Sequence, residues 1–408
     1  MHKVAVTGIG AITPVGNNIG TMWENIVAGR HGIAPITKFD CTDYKVGIAA
    51  EVKNFDPLDY MERNEARRLD LYSQFAIAAA YQAMHDSDIS DTIESERLST
   101  CFASGIGGMN TFENEVEKLL TGGPRKVSPL FIPMMIPNLA AGNIAIRFGA
   151  KGSSTAVITA CAAGTDSIGQ GYRAVKHGYA DAVIAGGSEA TITRMGVAGF
   201  SNMTALTTSS DPDAASLPFD RRRGGFVIGE GAGALILEEY DRAVKRGAKI
   251  YAEVVGYSST CDAHHITAPS PDGGSSARAI ADAYREAGSP DGIVYINAHG
   301  TGTPLNDVAE TLAIKAAFNG ETKNVLVSST KSMTGHMLGA AGAVEGIIAV
   351  LALSKGVLPP TVGLHEPDPE CDLDYIPLRA RETQPALAMS VSLGFGGHNA
   401  CVAFAQHP

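Results

Sequence analysis

Short runs of Val, Ile and Ala that end in glycine alternate along the chain with longer segments whose apolar positions recur every three to four residues. Continuous apolar runs suit strands buried on both faces, and the helical period between them suits helices laid over a sheet. The pattern predicts strands at 3–7, 98–103, 155–159, 182–185 and 232–237, then at 251–255, 293–297, 325–328, 388–392 and 400–404. These segments describe an α/β fold with a largely parallel or mixed sheet covered by helices.

The two sets of strands resemble each other. Gly229-Glu230-Gly231-Ala232-Gly233-Ala234 runs into Leu235-Ile236-Leu237, and Gly394-Phe395-Gly396-Gly397-His398-Asn399 runs into Ala400-Cys401-Val402-Ala403-Phe404. Each set also opens with a strand entering a glycine turn, at Gly8 and at Gly256. A duplication is the expected origin, with chance recurrence of glycine hairpins as the alternative. The join is expected near Arg246-Gly247-Ala248, after a charged helix at 238–245, which divides the chain into halves 1–248 and 249–408. No Pro/Ser-rich linker intervenes, so the halves should pack against each other.

Composition adds constraints on partners. Of the 408 residues, 45% are hydrophobic and 18% charged, against about 25% charged in ordinary domains. Part of the surface should therefore lie against another chain. Lys and Arg total 32 against 43 Asp and Glu, and the net charge of −11 argues against nucleic acid as a partner. The six cysteines contain no Cys-x-x-Cys pair and no secretory signal precedes the first strand, so reduced thiols in a cytoplasmic protein are expected. The longest apolar stretch, 346–353, falls short of the roughly 20 residues that span a bilayer, so no membrane partner is expected.

Candidate chemistry gathers at strand ends. The run at 155–159 reads as a buried strand leading through Ala160 to Cys161, and Ala162-Ala163-Gly164 opens a helix with apolar positions at Ile168, Tyr172 and Val175. Unpaired N–H groups at a helix start favour an anion, which predicts a lowered thiol pKa and a sulfur exposed at the turn. A buried structural cysteine is the alternative. His299, in Ile296-Asn297-Ala298-His299-Gly300-Thr301-Gly302-Thr303-Pro304, follows another apolar strand, and so does His336, in Ser328-Ser329-Thr330-Lys331-Ser332-Met333-Thr334-Gly335-His336. One thiol and two imidazoles at strand C-terminal ends point to nucleophilic catalysis. A metal site is the weaker alternative: His264 and His265 are adjacent, but no spaced His or Cys ligand pair occurs.

Thr159-Ala160-Cys161, His299-Gly300-Thr301-Gly302-Thr303-Pro304, Lys331-Ser332-Met333-Thr334-Gly335-His336 and Gly394-Phe395-Gly396-Gly397 resemble, in that order, the motifs of the condensing enzymes of fatty-acid synthesis. The likeness runs from Val4 to the final strand. Cys261-Asp262-Ala263-His264-His265-Ile266-Thr267-Ala268-Pro269, followed by Pro271-Asp272-Gly273, is similar to the type II branch of these β-ketoacyl synthases more than to type I. The resemblance implies a duplicated thiolase-like α/β/α/β/α sandwich, a homodimer, and decarboxylating condensation of an acyl chain with malonyl-[acyl-carrier-protein].

The same resemblance implies roles. Cys161 would carry the acyl chain; His299 and His336, as neutral N–H donors, would meet the enolate oxygen; the N–H groups of Cys161 and Phe395 would meet the second oxyanion, with Phe395 also gating. Lys331 would position His336 rather than donate a proton. Glu345 stands in an apolar helix where an unpaired carboxylate would be costly, so an ion pair with Lys331 is expected. Thr301 and Thr303 would bind pantetheine amides, and Ile106 and Phe200 would line the acyl pocket, unless they are ordinary core. Asp307 and Glu310, early in the helix after Pro304, are assigned a structural role that suits the helix dipole. Acyl carrier protein is the implied partner, docking on Arg67, Arg68, Arg125 and Lys126, with Thr204 standing where some relatives have a third basic contact. Arg221-Arg222-Arg223 is expected to pair within the molecule. No resident cofactor or metal is implied, because phosphopantetheine arrives on the carrier. Ala162-Ala163, Leu393 and His398 depart from the commoner pattern without removing a catalytic group. A polyketide ketosynthase, a thiolase and a non-catalytic subunit of the same fold are the competing readings.

Overall fold

A computed structural model describes residues 1–407. Its main sheet contains, in chain order, Val4–Ile12 (β1), Leu98–Ala103 (β2), Ser154–Thr155 (β3), Ala182–Glu189 (β4), Gly231–Glu239 (β5), Ala252–Cys261 (β6), Val294–Asn297 (β7), Val325–Ser328 (β8), Leu387–Gly394 (β9) and His398–Ala405 (β10). The spatial order is β8-β7-β9-β10-β6-β1-β5-β4-β2-β3.

That order is a mirrored repeat. Outward from the centre, one half runs β1, β5, β4, β2, β3 and the other β6, β10, β9, β7, β8. Pairing repeats as well: two antiparallel ladders followed by two parallel ones on each side. The two sides join through a short antiparallel ladder in which Val4 faces Val254 and Val6 faces Ala252. Identical connectivity on both sides is what duplication of one unit produces.

Helices form three layers around the sheet halves. Leu71–Ser87 lies on β1 and β5, and Gly274–Glu286 lies on β6 and β10, both on the outside. Ala163–Lys176 and Ala341–Lys355 lie between the halves and touch strands of both. The resulting order is the five-layered α/β/α/β/α sandwich. Every residue of Ala341–Lys355 up to Leu353 is buried, as expected for a helix apolar all round. Leu338–Lys355 is long and apolar enough to cross a membrane by length and composition, but 89% of it lies buried inside the fold.

Small residues bring the layers together. β1 is buried along all nine residues, and Gly10 faces the backbone of Ala79 in the Ala-rich helix Leu71–Ser87, where a Cβ would collide with the Ala79 carbonyl. Gly10→Ala is expected to push that helix off the sheet and lower thermal stability by several degrees. An unchanged unfolding midpoint would contradict this packing.

One strand differs from expectation. Only Ser154–Thr155 pairs, whereas 156–159 is irregular and Ile158 is 53% exposed. β3 is the outermost strand with a single neighbour, β2. Its apolar run therefore has an open edge, with Val157 packed against the core and Ile158 turned to open surface.

Candidate active site

Cys161 sits in a single tight turn, Ala160–Ala162, that feeds directly into the central helix Ala163–Lys176. Ala160 adopts φ +50°, a left-handed conformation that turns the chain sharply ahead of the cysteine. Thr159 Oγ1 donates to Asp166 Oδ2 at 2.6 Å, and Tyr257 from the other half donates to Asp166 Oδ1 at 2.7 Å. The turn is thus clamped from both halves. Gly394 packs onto it so closely that a Cβ would lie 2.6 Å from the Thr159 carbonyl oxygen.

The thiol differs from the sequence expectation of an exposed sulfur with a lowered pKa. Cys161 is only 6% exposed. Burial pushes its thiol up to about 12, against the lowering influence of Lys331 and of the Phe395 N–H, while Glu189 and Glu345 push it further up. Iodoacetamide labelling of Cys161 should therefore accelerate about tenfold per pH unit between pH 7 and 10. A plateau below pH 8 would contradict a buried, protonated thiol.

The two histidines face each other. Their rings lie 5.2 Å apart, centroid to centroid, and nearly perpendicular at 85°. The backbone N–H groups of His299 and Gly300 each donate to Glu310 at 2.7 Å, while Ser329 Oγ donates to the Gly300 carbonyl at 2.6 Å. The backbone of His336 is anchored across the halves: its amide N–H donates to the Val227 carbonyl at 2.7 Å, and Gly229 N–H donates to its carbonyl at 2.9 Å. The Phe226 ring stands edge-on to His336 at 5.0 Å.

Both imidazoles are neutral. Burial and the nearby Lys331 charge hold each well below the ordinary histidine range, and His299 is lowered further by His336. Their Nδ1 atoms are buried without partners. A neutral ring keeps one N–H to donate, which suits an oxygen acquiring negative charge.

Lys331 and Glu345 are each 1% exposed and joined at 2.5 Å. Burial raises the Glu345 carboxyl, and Lys331 opposes that shift. Asp307 and Glu310 are fully buried rather than solvated at a helix start. Asp307 accepts from Phe219 N–H at 2.8 Å and Gly302 N–H at 3.2 Å, so the two acids together shape the 299–302 loop. Burial raises Glu310 to about 7.

A cavity of about 590 Å³ joins these groups; its lining includes Cys161, His299, His336, Thr301, Thr303 and Phe395. Phe200 and Leu393 also line it, and Thr301 and Thr303 hydroxyls lie 3.0 Å apart. Ile106 lies outside this lining but packs in the apolar cluster that contains Cys161, Phe226 and Leu338. The 394–397 loop is tied to the 262–266 segment by Gly396 N–H to the Ile266 carbonyl and Asp262 N–H to the Gly397 carbonyl, both at 2.8 Å. His398 lies against Gly396. Arg67, Arg68, Arg125 and Lys126 are exposed, whereas Arg221, Arg222 and Arg223 pair with Glu366, Asp220 and Asp368. Thr204 is exposed at the cavity lining. His264 and His265 are exposed, and His265 Nδ1 accepts from the backbone of Thr267 and Ala268.

Sequence reasoning missed the positions of Asp166, Glu189 and Phe226, and it missed how Glu310 grips the His299 turn. An acid on a periodic helix reads as solvent-facing unless its burial is known.

Residues 1–243 match the beta-ketoacyl synthase N-terminal domain and residues 251–365 the beta-ketoacyl synthase C-terminal domain. The chain is 49% identical over 408 residues to 3-oxoacyl-[acyl-carrier-protein] synthase 2 of Synechocystis sp. (strain ATCC 27184 / PCC 6803 / Kazusa), covering 99% of this chain and 98% of that one. It is equally 49% identical over 405 residues to the protein of the same name from Staphylococcus aureus (strain N315), with 98% of each covered. Among solved structures, it superposes at TM-score 0.92 and 33% identity, over 100% of both chains, on a type II polyketide-synthase ketosynthase in complex with its acyl-carrier protein and bound to the hexaketide. The chain belongs to the beta-ketoacyl synthase family.

Proposed function

We propose that the protein catalyses the decarboxylating Claisen condensation that elongates acyl chains in type II fatty-acid synthesis. The observation that carries this reading is a single cavity lined by one cysteine thiol and two neutral imidazoles. In the first step Cys161 sulfur attacks the thioester of an acyl-carrier protein; the carrier thiol leaves with the proton, and the chain becomes a Cys161 thioester. The Cys161 and Phe395 N–H groups stabilise the tetrahedral oxyanion. Malonyl carrier protein then loses CO₂ by cleavage of its Cα–carboxylate bond. His299 and His336 donate to the enolate oxygen, the carbanion attacks the acyl carbon, and Cys161 departs to leave a 3-oxoacyl carrier two carbons longer.

Other residues support these steps. Burial and the Lys331 charge together keep both imidazoles neutral, Lys331 also pairs with Glu345, and Glu310 and Asp307 hold the turn on which His299 rides. Thr301 and Thr303 bind the pantetheine amides, Phe200 and Ile106 border the acyl chain, and Phe395 gates entry on its glycine-flanked loop. The two thiolase-like halves, 1–248 and 249–408, meet at this cavity. Phosphopantetheine comes and goes with the carrier, so no resident cofactor or metal takes part. We place the enzyme in the cytoplasm as a homodimer. Ile146 at 80% exposure and Ile158 at 53%, beside the unpaired edge of β3, offer an apolar face to the second copy.

A polyketide role is the second reading, prompted by the ketosynthase complex at 33% identity. The 49% identity to 3-oxoacyl synthases favours fatty acyl chains, and the presence of Cys161 argues against a non-catalytic subunit. The deciding experiment is the product profile with acyl-carrier proteins loaded with C4 to C16 chains plus malonyl carrier protein. Straight 3-oxoacyl products two carbons longer are expected; elongation confined to polyketide starters would overturn the fatty-acid assignment.

Docking is testable separately. The carrier is acidic and this protein is acidic overall, so binding needs local basic groups. Replacing Arg67, Arg68, Arg125 and Lys126 together by Ala should raise the KM for acyl carrier protein roughly tenfold or more and flatten its salt dependence. Turnover of an acyl-pantetheine fragment should stay unchanged. An unaltered KM for the full carrier would place docking elsewhere.

A further inference from the structure

Glu189 ends β4, is wholly buried, and has no cationic partner among the described residues. Its carboxylate instead gathers five hydrogen-bond donors. Oε2 accepts from Gly105 N–H at 2.8 Å and Gly339 N–H at 3.1 Å. Oε1 accepts from Ser104 Oγ at 3.2 Å, Ile106 N–H at 3.3 Å and Thr191 Oγ1 at 3.2 Å. Four of the five donors come from two functional turns, since residues 104–106 follow β2 and Gly339 stands three residues after His336; the fifth, Thr191, lies two residues beyond Glu189 itself. Ser104 Oγ also accepts from Gly107 N–H at 3.0 Å, which extends the network one residue along the same turn.

The two turns also approach each other closely. A Cβ on Gly339 would collide with the Gly105 backbone nitrogen, and one on Gly105 would lie 2.7 Å from Glu189 Oε2. Immediately beside these anchor points, Ile106 and Leu338 both pack in the apolar cluster that contains Cys161. Leu338 holds φ +48°, a conformation that a leucine keeps only when its surroundings fix it.

The electrostatic effect of Glu189 on the nucleophile is unfavourable, because it pushes the Cys161 thiol up. Burial also raises its own carboxyl to about 7, a sign of how costly its ionised form is there. A group that works against both its own ionisation and the nucleophile needs a compensating geometric role. Here one carboxyl oxygen, Oε2, accepts from both turns at once.

We propose that Glu189 is a positioning residue that holds the Ile106 turn against the His336 turn and thereby sets acyl-chain selectivity. The proposal rests on the condensing-enzyme reading above. Longer chains would reach further into the apolar cluster that Ile106 shares with Cys161 and Phe200, so loss of the tether should weigh on them more heavily than on short ones.

The test is Glu189→Ala, which removes the acceptor shared by the Gly105 and Gly339 N–H groups and, with it, the link between the two turns. Acylation of Cys161 by C4 to C16 acyl-carrier proteins is followed by intact mass, with far-UV circular dichroism and the unfolding midpoint as folding checks. The expected result is a fall in kcat/KM of about tenfold for C14 and C16 chains and less than threefold for C4. Ser104→Ala, which removes one donor from the same network, should shift the profile in the same direction by a smaller factor, and it serves as the test if the Glu189→Ala variant does not fold. A uniform loss across chain lengths, or an unchanged profile in folded protein, would overturn the proposal. Failure of the condensing-enzyme reading itself would show differently, as persistence of elongation in a Cys161→Ala variant.

Discussion

Cys161→Ala should reduce condensation to background, at least about a thousandfold below the parent enzyme, because Cys161 is the one cysteine that lines the cavity. Of the hydroxyls in that lining, those of Thr301 and Thr303 are occupied with each other at 3.0 Å. No activated substitute nucleophile is at hand. Intact-mass measurement after incubation with acyl-carrier protein should show an acyl adduct on the parent and none on the variant. The variant keeps both neutral imidazoles, so it should still release CO₂ from malonyl carrier protein while forming no 3-oxoacyl product. That split separates the two halves of the reaction by residue. Full elongation by the variant would overturn the reading outright, and loss of both activities with an intact fold would mean that the enolate site depends on the thiol.

Lys331→Ala is the second large effect, and it touches stability as well as rate. Removing the ammonium leaves Glu345 with an unpaired carboxylate at 1% exposure, a situation that destabilises by about 3–5 kcal/mol. Activity should fall at least about a hundredfold in whatever fraction remains folded. The reason is electrostatic: Lys331 lowers the Cys161 thiol and helps hold both imidazoles neutral. The double variant Lys331→Met with Glu345→Leu distinguishes the two contributions. Apolar replacement of a buried pair is often neutral or stabilising, so the double variant should regain most of the lost stability. Its activity should stay low. If stability and activity return together, Lys331 serves the fold alone and the charge it supplies to the site is dispensable.

Much of this architecture was legible because local patterns carried it. All ten segments expected to be strands contribute to the main sheet, since continuous β-branched runs between glycine turns have few alternatives. The exception in extent, 155–159, fails for a reason outside its own residues: the sheet ends there, so the run has one strand neighbour and an open edge. The duplication was visible in two glycine hairpins and became unambiguous in the mirrored strand order. Cys161, His299 and His336 could be found because each follows a strand at a turn rich in small residues. Glu310 was legible only as a structural acid and Glu189 and Asp166 not at all, because a carboxylate whose partners are backbone N–H groups or distant hydroxyls leaves no periodic trace.

The sequence alone determined the strand–turn–helix units, their repetition and the identity of the reactive side chains, since these follow from residue type and near-neighbour spacing. Tertiary structure decided their protonation. A helix start taken alone predicts an ionised cysteine, yet Cys161 is buried and its thiol stands near 12. The histidines are neutral because burial and a lysine from a separate turn act on them together. Burial and charge at a site are sums over segments distant in the chain, as when Lys331 acts on Cys161, and no local pattern records that sum.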